Sequence, residues 1–369
     1  MNGGKISNTK LVGLLILAGA GLLTGLYTGI WRLGLPWQSH HLLSPLLHGP
    51  LMINGFLGTL IGLERAAALE RKWSLGAPVF FALATLALLF SFGMAAKLLW
   101  IVGSAFLLLI MVLLYRMQAE TYHLIMVLGA CSLLIGNILF LAGHPIFNLV
   151  AWWAGFLLLT IFAERLELNR IMRPPQKARQ IFLGLTLLWI FGVAITFMSR
   201  RTGWAIASTS LIAQALWLFK YDVARRTIKT SGWTRYSAIC LLTGYGWLVA
   251  AGLFGLWHGL PTAGLLYDAQ LHMIFVGFVF SMIFAHASVI IPSLSGKLVR
   301  WHAYFYLPLM LLHAFLLLRI AGDIMVEPWI RRLGGYGNVL AILLFLGGIV
   351  SGLVIQAAIK KRKWDKRAV

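Results

Sequence analysis

The chain has 369 residues, of which 60% are hydrophobic and only 11% charged, with a formal net charge of +21. Soluble domains carry about 25% charged residues, so this composition cannot build a water-facing exterior, and a soluble catalytic domain is excluded. Many runs reach the ~20 apolar residues that cross a bilayer as a helix and do not alternate as barrel strands do, which predicts an all-α, polytopic membrane protein.

The runs predict twelve spans, at about 11–33, 46–69, 76–94, 95–115, 121–143, 145–164, 180–198, 203–220, 235–257, 267–292, 301–322 and 335–358. The joints at 94–95 and 143–145 leave the least room for a turn. The first run continues to about Trp31, longer than a signal-peptide core and without a cleavage site, and reads as an uncleaved span. No long linker interrupts the chain, so residues 1–369 read as one transmembrane domain with a basic tail at 359–369.

With the N-terminus placed in the cytoplasm, 24 of the 31 Lys and Arg residues fall on the inner side and 7 on the outer. That split follows the positive-inside rule and puts both termini in the cytoplasm. The charge is then a topology signal reinforced by anionic lipid headgroups. Membrane lipids are the expected partner, and nucleic acid is not.

One stretch recurs. Residues 48–65 read HGPLMINGFLGTLIGLER, 148–165 read NLVAWWAGFLLLTIFAER, and 270–287 read QLHMIFVGFVFSMIFAHA. Without gaps, Gly55-Phe56, Gly155-Phe156 and Gly277-Phe278 coincide, and so do Glu64, Glu164 and His286. Such a period marks internal repetition. The three copies fall on spans 2, 6 and 10, four spans apart and in one direction. They predict three pseudo-symmetric four-helix units, about 1–115, 116–220 and 221–358, whose second helices surround a common axis. The GTL…GL and GLV-type small-residue spacings are common throughout membrane helices and carry no specific message.

Ionisable groups at membrane depth are costly and face the bundle interior, and imidazole ligates both metals and haem. Of ten histidines, His48 opens span 2 and His272 opens span 10, both near the outer side. Two neutral imidazoles facing one gap would hold haem iron from both sides, with Gly49, Gly55, Gly277, Phe275 and Phe278 at hand as close-approach and wall residues. The equivalence is offset, because Gln270 aligns with His48. The ordinary alternative is that each histidine caps a helix or bonds to a neighbour.

A second set lies about 24 Å further in, by the ~1.5 Å rise per residue. Glu64, Glu164 and His286 share a repeat position, and His302 and His123 start spans at similar depth. Carboxylates with imidazoles hold divalent metals such as iron or zinc or pass protons. The alternative is an interfacial ion pair, since Arg65 and Arg165 follow the two glutamates. His313, in mid-span, reads as a hydrogen-bonded core histidine. His40, His41, His144 and His258 read as solvated loop residues or, less simply, as a shallow copper or zinc site. Cys131 and Cys240 give neither a disulfide framework nor a thiolate cluster. Asn54, Asn137, Gln214, Tyr245 and Gln356 are placed for interhelical hydrogen bonds. Nucleotide-binding loops, zincin helices and nucleophile elbows are absent.

Twelve spans in three four-helix units, with His48 and His272 on spans 2 and 10, resemble the haem-copper oxidase catalytic subunit, whose low-spin haem is held from those two helices. The resemblance implies axial ligation by His48 and His272. Span 6 carries no histidine before Glu164, span 7 has no His-His pair, and Gln270-Leu271-His272 stands where that family has His-x-His. The ligands of a copper centre and an oxygen-reducing haem are therefore missing. Residues 272–297, HMIFVGFVFSMIFAHASVIIPSLSGK, are similar to a late segment of the NnrS family, twelve-span proteins described as haem- and copper-containing and linked to nitric-oxide stress in denitrifying bacteria. His286 and Ser293-Leu294-Ser295-Gly296 stand where that family has an Arg and a His-Thr-Gly turn. This likeness implies a haem-binding protein of the bacterial cytoplasmic membrane, in respiratory or nitric-oxide metabolism and served by a redox partner. A proton-coupled secondary transporter and a respiratory-complex assembly factor are the other classes the residues allow. Transporters more often show inverted or two-fold repeats.

Overall fold

Every apolar run folds as a helix, and the described residues contain no strand. The computed structural model describes residues 7–34 and 44–365, with side chains through 354. His40, His41, the side chain of Gln356 and the last four tail residues lie outside that range. The twelve helices are α1 (Asn8–Arg32), α2 (Pro45–Leu69), α3 (Lys72–Leu89), α4 (Gly93–Met117), α5 (Thr121–Leu141), α6 (Ile146–Met172), α7 (Gln176–Ile195), α8 (Arg200–Tyr221), α9 (Gly232–His258), α10 (Leu265–Ser295), α11 (Ala303–Ile324) and α12 (Pro328–Val354). All are long and apolar enough to span a bilayer. The chain is a multi-pass membrane protein. The α3–α4 joint sits earlier than the predicted 94–95. Ser91, in the left-handed region at φ 64°, turns the chain, and Gly93 begins α4.

Three four-helix units are visible in which helix packs on which. The first helix of each unit lies on the second (α1 on α2, α5 on α6, α9 on α10). The third lies on the fourth, and the fourth on the first of the next unit (α4 on α5, α8 on α9). The ring closes where α12 returns to α1 and Arg332 Nε donates to the Leu33 carbonyl at 3.0 Å. α2, α6 and α10 are the most enclosed helices. Of their core windows, 61, 83 and 61% is buried, against at most 56% elsewhere. The recurring glycines explain part of this. A Cβ on Gly55 would strike Thr85 of α3, one on Gly155 Trp189 of α7, and one on Gly277 Trp247 of α9. The motif is thus a close-packing surface repeated three times.

α2 and α10 share a further feature that α6 lacks. Leu51–Gly58 and Met273–Phe280 are π-helical, and these eight-residue stretches coincide when the repeats are aligned. The equivalent part of α6 is regular α-helix. π-helix is rare, usually a single turn, and frequent at functional sites. Here it follows each candidate ligand histidine within three residues.

α1 carries a close-approach face that the sequence analysis did not single out. Its Gly21, Gly25 and Gly29, four residues apart, form the face on which α2 lies. A Cβ on Gly21 would sit 2.6 Å from the Gly55 carbonyl carbon. Small residues let membrane helices approach closely, as these glycines do. Of the predicted interhelical bonds, those of Asn54, Asn137 and Gln214 are present. Asn137 Nδ2 donates to Asn54 Oδ1 at 2.8 Å and to Ser104 Oγ at 2.7 Å, while Trp153 Nε1 donates to Asn137 Oδ1 at 2.9 Å. Gln214 Nε2 donates to Thr186 Oγ1 at 3.3 Å.

Candidate functional site

Two polar regions lie among α2, α6 and α10. One is near the end where α2 and α10 begin, and the other is near the basic end where they finish. At the first, His48 stands on the opening turns of α2 after a 3₁₀ turn whose Ser44 Oγ accepts the Leu46 N–H. His272 stands two turns into α10, just before its π segment. Their rings face one cavity, with centroids 6.3 Å apart and planes 10° from parallel.

Each ring is fixed through one nitrogen. His48 Nδ1 lies 2.7 Å from the Gly25 carbonyl, and His272 Nδ1 lies 2.7 Å from the Asp268 carbonyl. A carbonyl only accepts, so in each neutral ring the proton resides on Nδ1 and the lone pair on Nε2. Metal-ligating histidines are held in this way, the second nitrogen donating to a carbonyl or carboxylate. The spacing tests the fit further. Two imidazoles on opposite sides of one iron have centroids about 6.4 Å apart, from a metal–nitrogen distance of about 2.0 Å and about 1.2 Å from nitrogen to ring centre. The observed 6.3 Å agrees with that spacing, and it also lies in the range of ordinary aromatic pairs, about 4.5–7 Å.

The cavity is mostly apolar. Leu26, Met52, Ile53, Phe275, Val276 and Phe280 wall it, and its volume is about 120 Å³. Ligand sites commonly measure about 300–1,000 Å³, so a haem-sized group requires these side chains to move apart. Arg32, exposed at the end of α1, borders it and has no acidic partner among the described residues.

α1 shapes the site by what it lacks. A Cβ on Gly29 would stand 2.7 Å from His48 Nδ1 and 2.8 Å from its Cε1. Gly29→Ala is therefore expected to swing the imidazole off the Gly25 carbonyl. At a metal-ligating histidine, loss of such a supporting contact typically lowers metal affinity about 10–100-fold, and titration of wild type and variant with haem would measure whether that holds here. Unchanged affinity would mean that the ring does not need this position.

Behind His272 lies a network that the sequence reading left among the outer cations. Asp268 Oδ1 is 3.5 Å from His272 Nδ1. Asp268 Oδ2 accepts from Arg319 Nε at 3.0 Å and from its second guanidinium nitrogen at 2.8 Å. Arg331 bridges onward, 3.6 Å from Asp268 and 2.9 Å from Asp323. Two carboxylates and two guanidiniums balance. The signal was present in the sequence as Asp268 four residues before His272 and Arg319 four before Asp323, pairs that share a helix face.

At the basic end the structure brings Glu64, Glu164 and His286 to one small cavity and leaves His302 elsewhere. His302 is exposed, and its Nδ1 accepts the Tyr304 N–H as a cap. His123, also exposed, bonds the Gln118 carbonyl through Nδ1 at 2.8 Å. The predicted four-ligand set of Glu64, Glu164, His286 and His302 is therefore not assembled. Among the described residues no group of three or more His, Cys, Asp or Glu is arranged to hold a metal. The arginines are the physical reason. Arg65 pairs with Glu64 at 3.0 Å and with Glu164. Arg165 donates to His286 Nε2 at 3.4 Å, and His286 Nδ1 donates to the Met282 carbonyl at 2.8 Å, so neither imidazole nitrogen is open. Arg165 also makes a two-pronged bond to the fully buried Asp222, both distances 2.8 Å.

The remaining histidines play other parts. His313 Nδ1 accepts from Trp247 Nε1 at 3.0 Å, as a hydrogen-bonded core histidine does. His144 packs edge-on to Phe197 and His258 lies against Phe254.

A search of curated proteins finds no match to this chain. Residues 10–354 match the family described as a domain of unknown function, DUF8744, and the chain belongs to that family.

Proposed function

We propose that the protein binds one haem between α2 and α10, with His48 and His272 as its axial ligands. The observation that carries this reading is the pair of near-parallel imidazoles, 6.3 Å apart, each with Nδ1 tied to a backbone carbonyl. A haem held by His48 and His272 would supply one-electron transfer.

The chain's own residues do the rest. The Gly25 and Asp268 carbonyls fix tautomer and ring orientation. Gly29 admits the His48 ring. The apolar wall from Leu26 to Phe280 keeps water from the faces of the macrocycle. Arg32, at the mouth, offers a cation to acidic groups at the edge of the ligand. The Asp268–Arg319 pair holds the helix turn that carries His272.

The role is electron carriage in bacterial respiratory or nitric-oxide metabolism, with a redox partner, as the likeness to the NnrS and haem-copper oxidase families suggests. The basic end lies in the cytoplasm, following the distribution of Lys and Arg, and the protein sits in the bacterial cytoplasmic membrane.

Protein purified in detergent from haem-sufficient cells is expected to show the Soret and visible bands of low-spin, six-coordinate haem, with one haem per chain by pyridine haemochrome assay. Colourless protein from such cells would refute the assignment.

A further inference from the structure

We propose that Glu64 and Glu164 share a single exchangeable proton across Arg65, making the cavity at the basic end a one-proton site. The inference does not depend on bound haem and starts from a count of charges. Arg65 contacts a carboxylate oxygen of Glu64 at 3.0 Å and one of Glu164, so one guanidinium faces two carboxylates. The next cation, Arg165, is already matched by Asp222. Asp222 in turn accepts from Tyr245 Oη at 2.8 Å and from the Ala224 N–H at 2.7 Å. His286 contributes no charge to the balance, since its Nδ1–H donates to Met282 and its Nε2 accepts from Arg165. Glu167, one turn beyond Glu164 and half-buried, has no ion-pair partner among the described residues and adds only negative potential. Arg170, on the same helix, is exposed and donates to Tyr122 Oη at 3.3 Å. One negative charge is left over.

An uncompensated charge inside a membrane protein is costly, and the group neutralises instead. A proton on one of the two carboxylates supplies that neutralisation. Water at the basic end loses a proton, and an O–H bond forms on one carboxylate. The other carboxylate keeps its pairing with Arg65. The cavity has room for the transfer. Its volume is about 50 Å³, where a buried water needs about 10–15 Å³ by the same measure. Leu57 and Val279 line both this cavity and the histidine cavity, so a single layer of side chains separates them.

The test is infrared spectroscopy of the full chain in detergent or nanodiscs, as a difference between neutral and alkaline pH, at both of which exposed carboxyls are ionised. Wild type is expected to show the C=O stretch of a neutral carboxylic acid, shifting on deuteration and present at neutral pH. Glu64→Gln and Glu164→Gln should each abolish it, because the remaining carboxylate is then matched by Arg65. Glu167→Gln should keep it. A band that persists in either the Glu64 or the Glu164 variant overturns the proposal. Should a variant fail to fold, wild type alone decides, since absence of any neutral-carboxyl band overturns it as well. Haem content is read separately from the Soret band, so the outcome for the proton site and for the haem reading remain distinct.

Discussion

Replacing either His48 or His272 with alanine is expected to remove the low-spin haem spectrum and to lower haem content at least about tenfold. Outer supporting contacts alone are worth about 10–100-fold in affinity, and a direct ligand bond is worth more. Each variant deletes one of only two protein ligands and opens the apolar cavity on that side. The substitution also frees a carbonyl, of Gly25 or of Asp268, that the imidazole had satisfied. Added imidazole should enter the vacated space and restore a six-coordinate spectrum, a rescue that a misfolded variant would not show. His302→Ala and His286→Ala serve as comparisons and should retain full haem. Undiminished haem in both His48→Ala and His272→Ala would place the cofactor elsewhere or exclude it.

What could be read in the sequence was whatever a fixed period or a sharp contrast in polarity makes visible. Twelve apolar runs and an uneven distribution of Lys and Arg impose the span count, since hydrocarbon leaves only helices as a way to satisfy the backbone. The Gly-Phe repeat identified the three central helices, because close packing at equivalent places demands the same small residue beside the same large one. The pairing of His48 with His272 followed from that. Their two-residue offset looked like imperfect equivalence, yet both helices carry matched π segments directly after the histidines. A π turn is a change of hydrogen-bond register, and no residue type announces it.

The second constellation was legible by position, and Arg65 and Arg165 after the two glutamates pointed to the ion-pair alternative. Glu64, Glu164 and His286 do converge, but the arginine after each glutamate turns inward to its own acceptors, and one of those was never considered. Asp222 lies just beyond the predicted end of span 8. It is fully buried, because the chain after α8 folds inward at a short helical turn, Ala224–Thr227. The third repeat has Ala287 where the other two have Arg65 and Arg165, and this substitution leaves His286 to be held by an arginine from a neighbouring copy.

Asp222→Asn should destabilise the protein more than any single change at the haem cavity, by about 3–5 kcal/mol, the usual cost of removing one partner from a buried ion pair. Asp222 is fully enclosed, and its two oxygens receive Arg165 twice, Tyr245, Asn169 and the Ala224 N–H. These donors join α6, the α8–α9 connection and α9. The asparagine side chain keeps the shape but brings an amide N–H₂ against donors, and the Arg165 charge then stands alone in surroundings where lipid supplies no replacement partner. Because native proteins are stable by only about 5–15 kcal/mol, the change should appear as a large fall in thermal midpoint and in yield from the membrane. Removing both charges, as in Arg165→Met with Asp222→Leu, should recover part of the loss, since apolar replacements of buried pairs are often neutral. Equilibrium unfolding of the two variants beside wild type separates the contributions. If Asp222→Asn unfolds within about 1 kcal/mol of wild type, a difference ordinary for surface substitutions, Asp222 is not what holds the second and third units together.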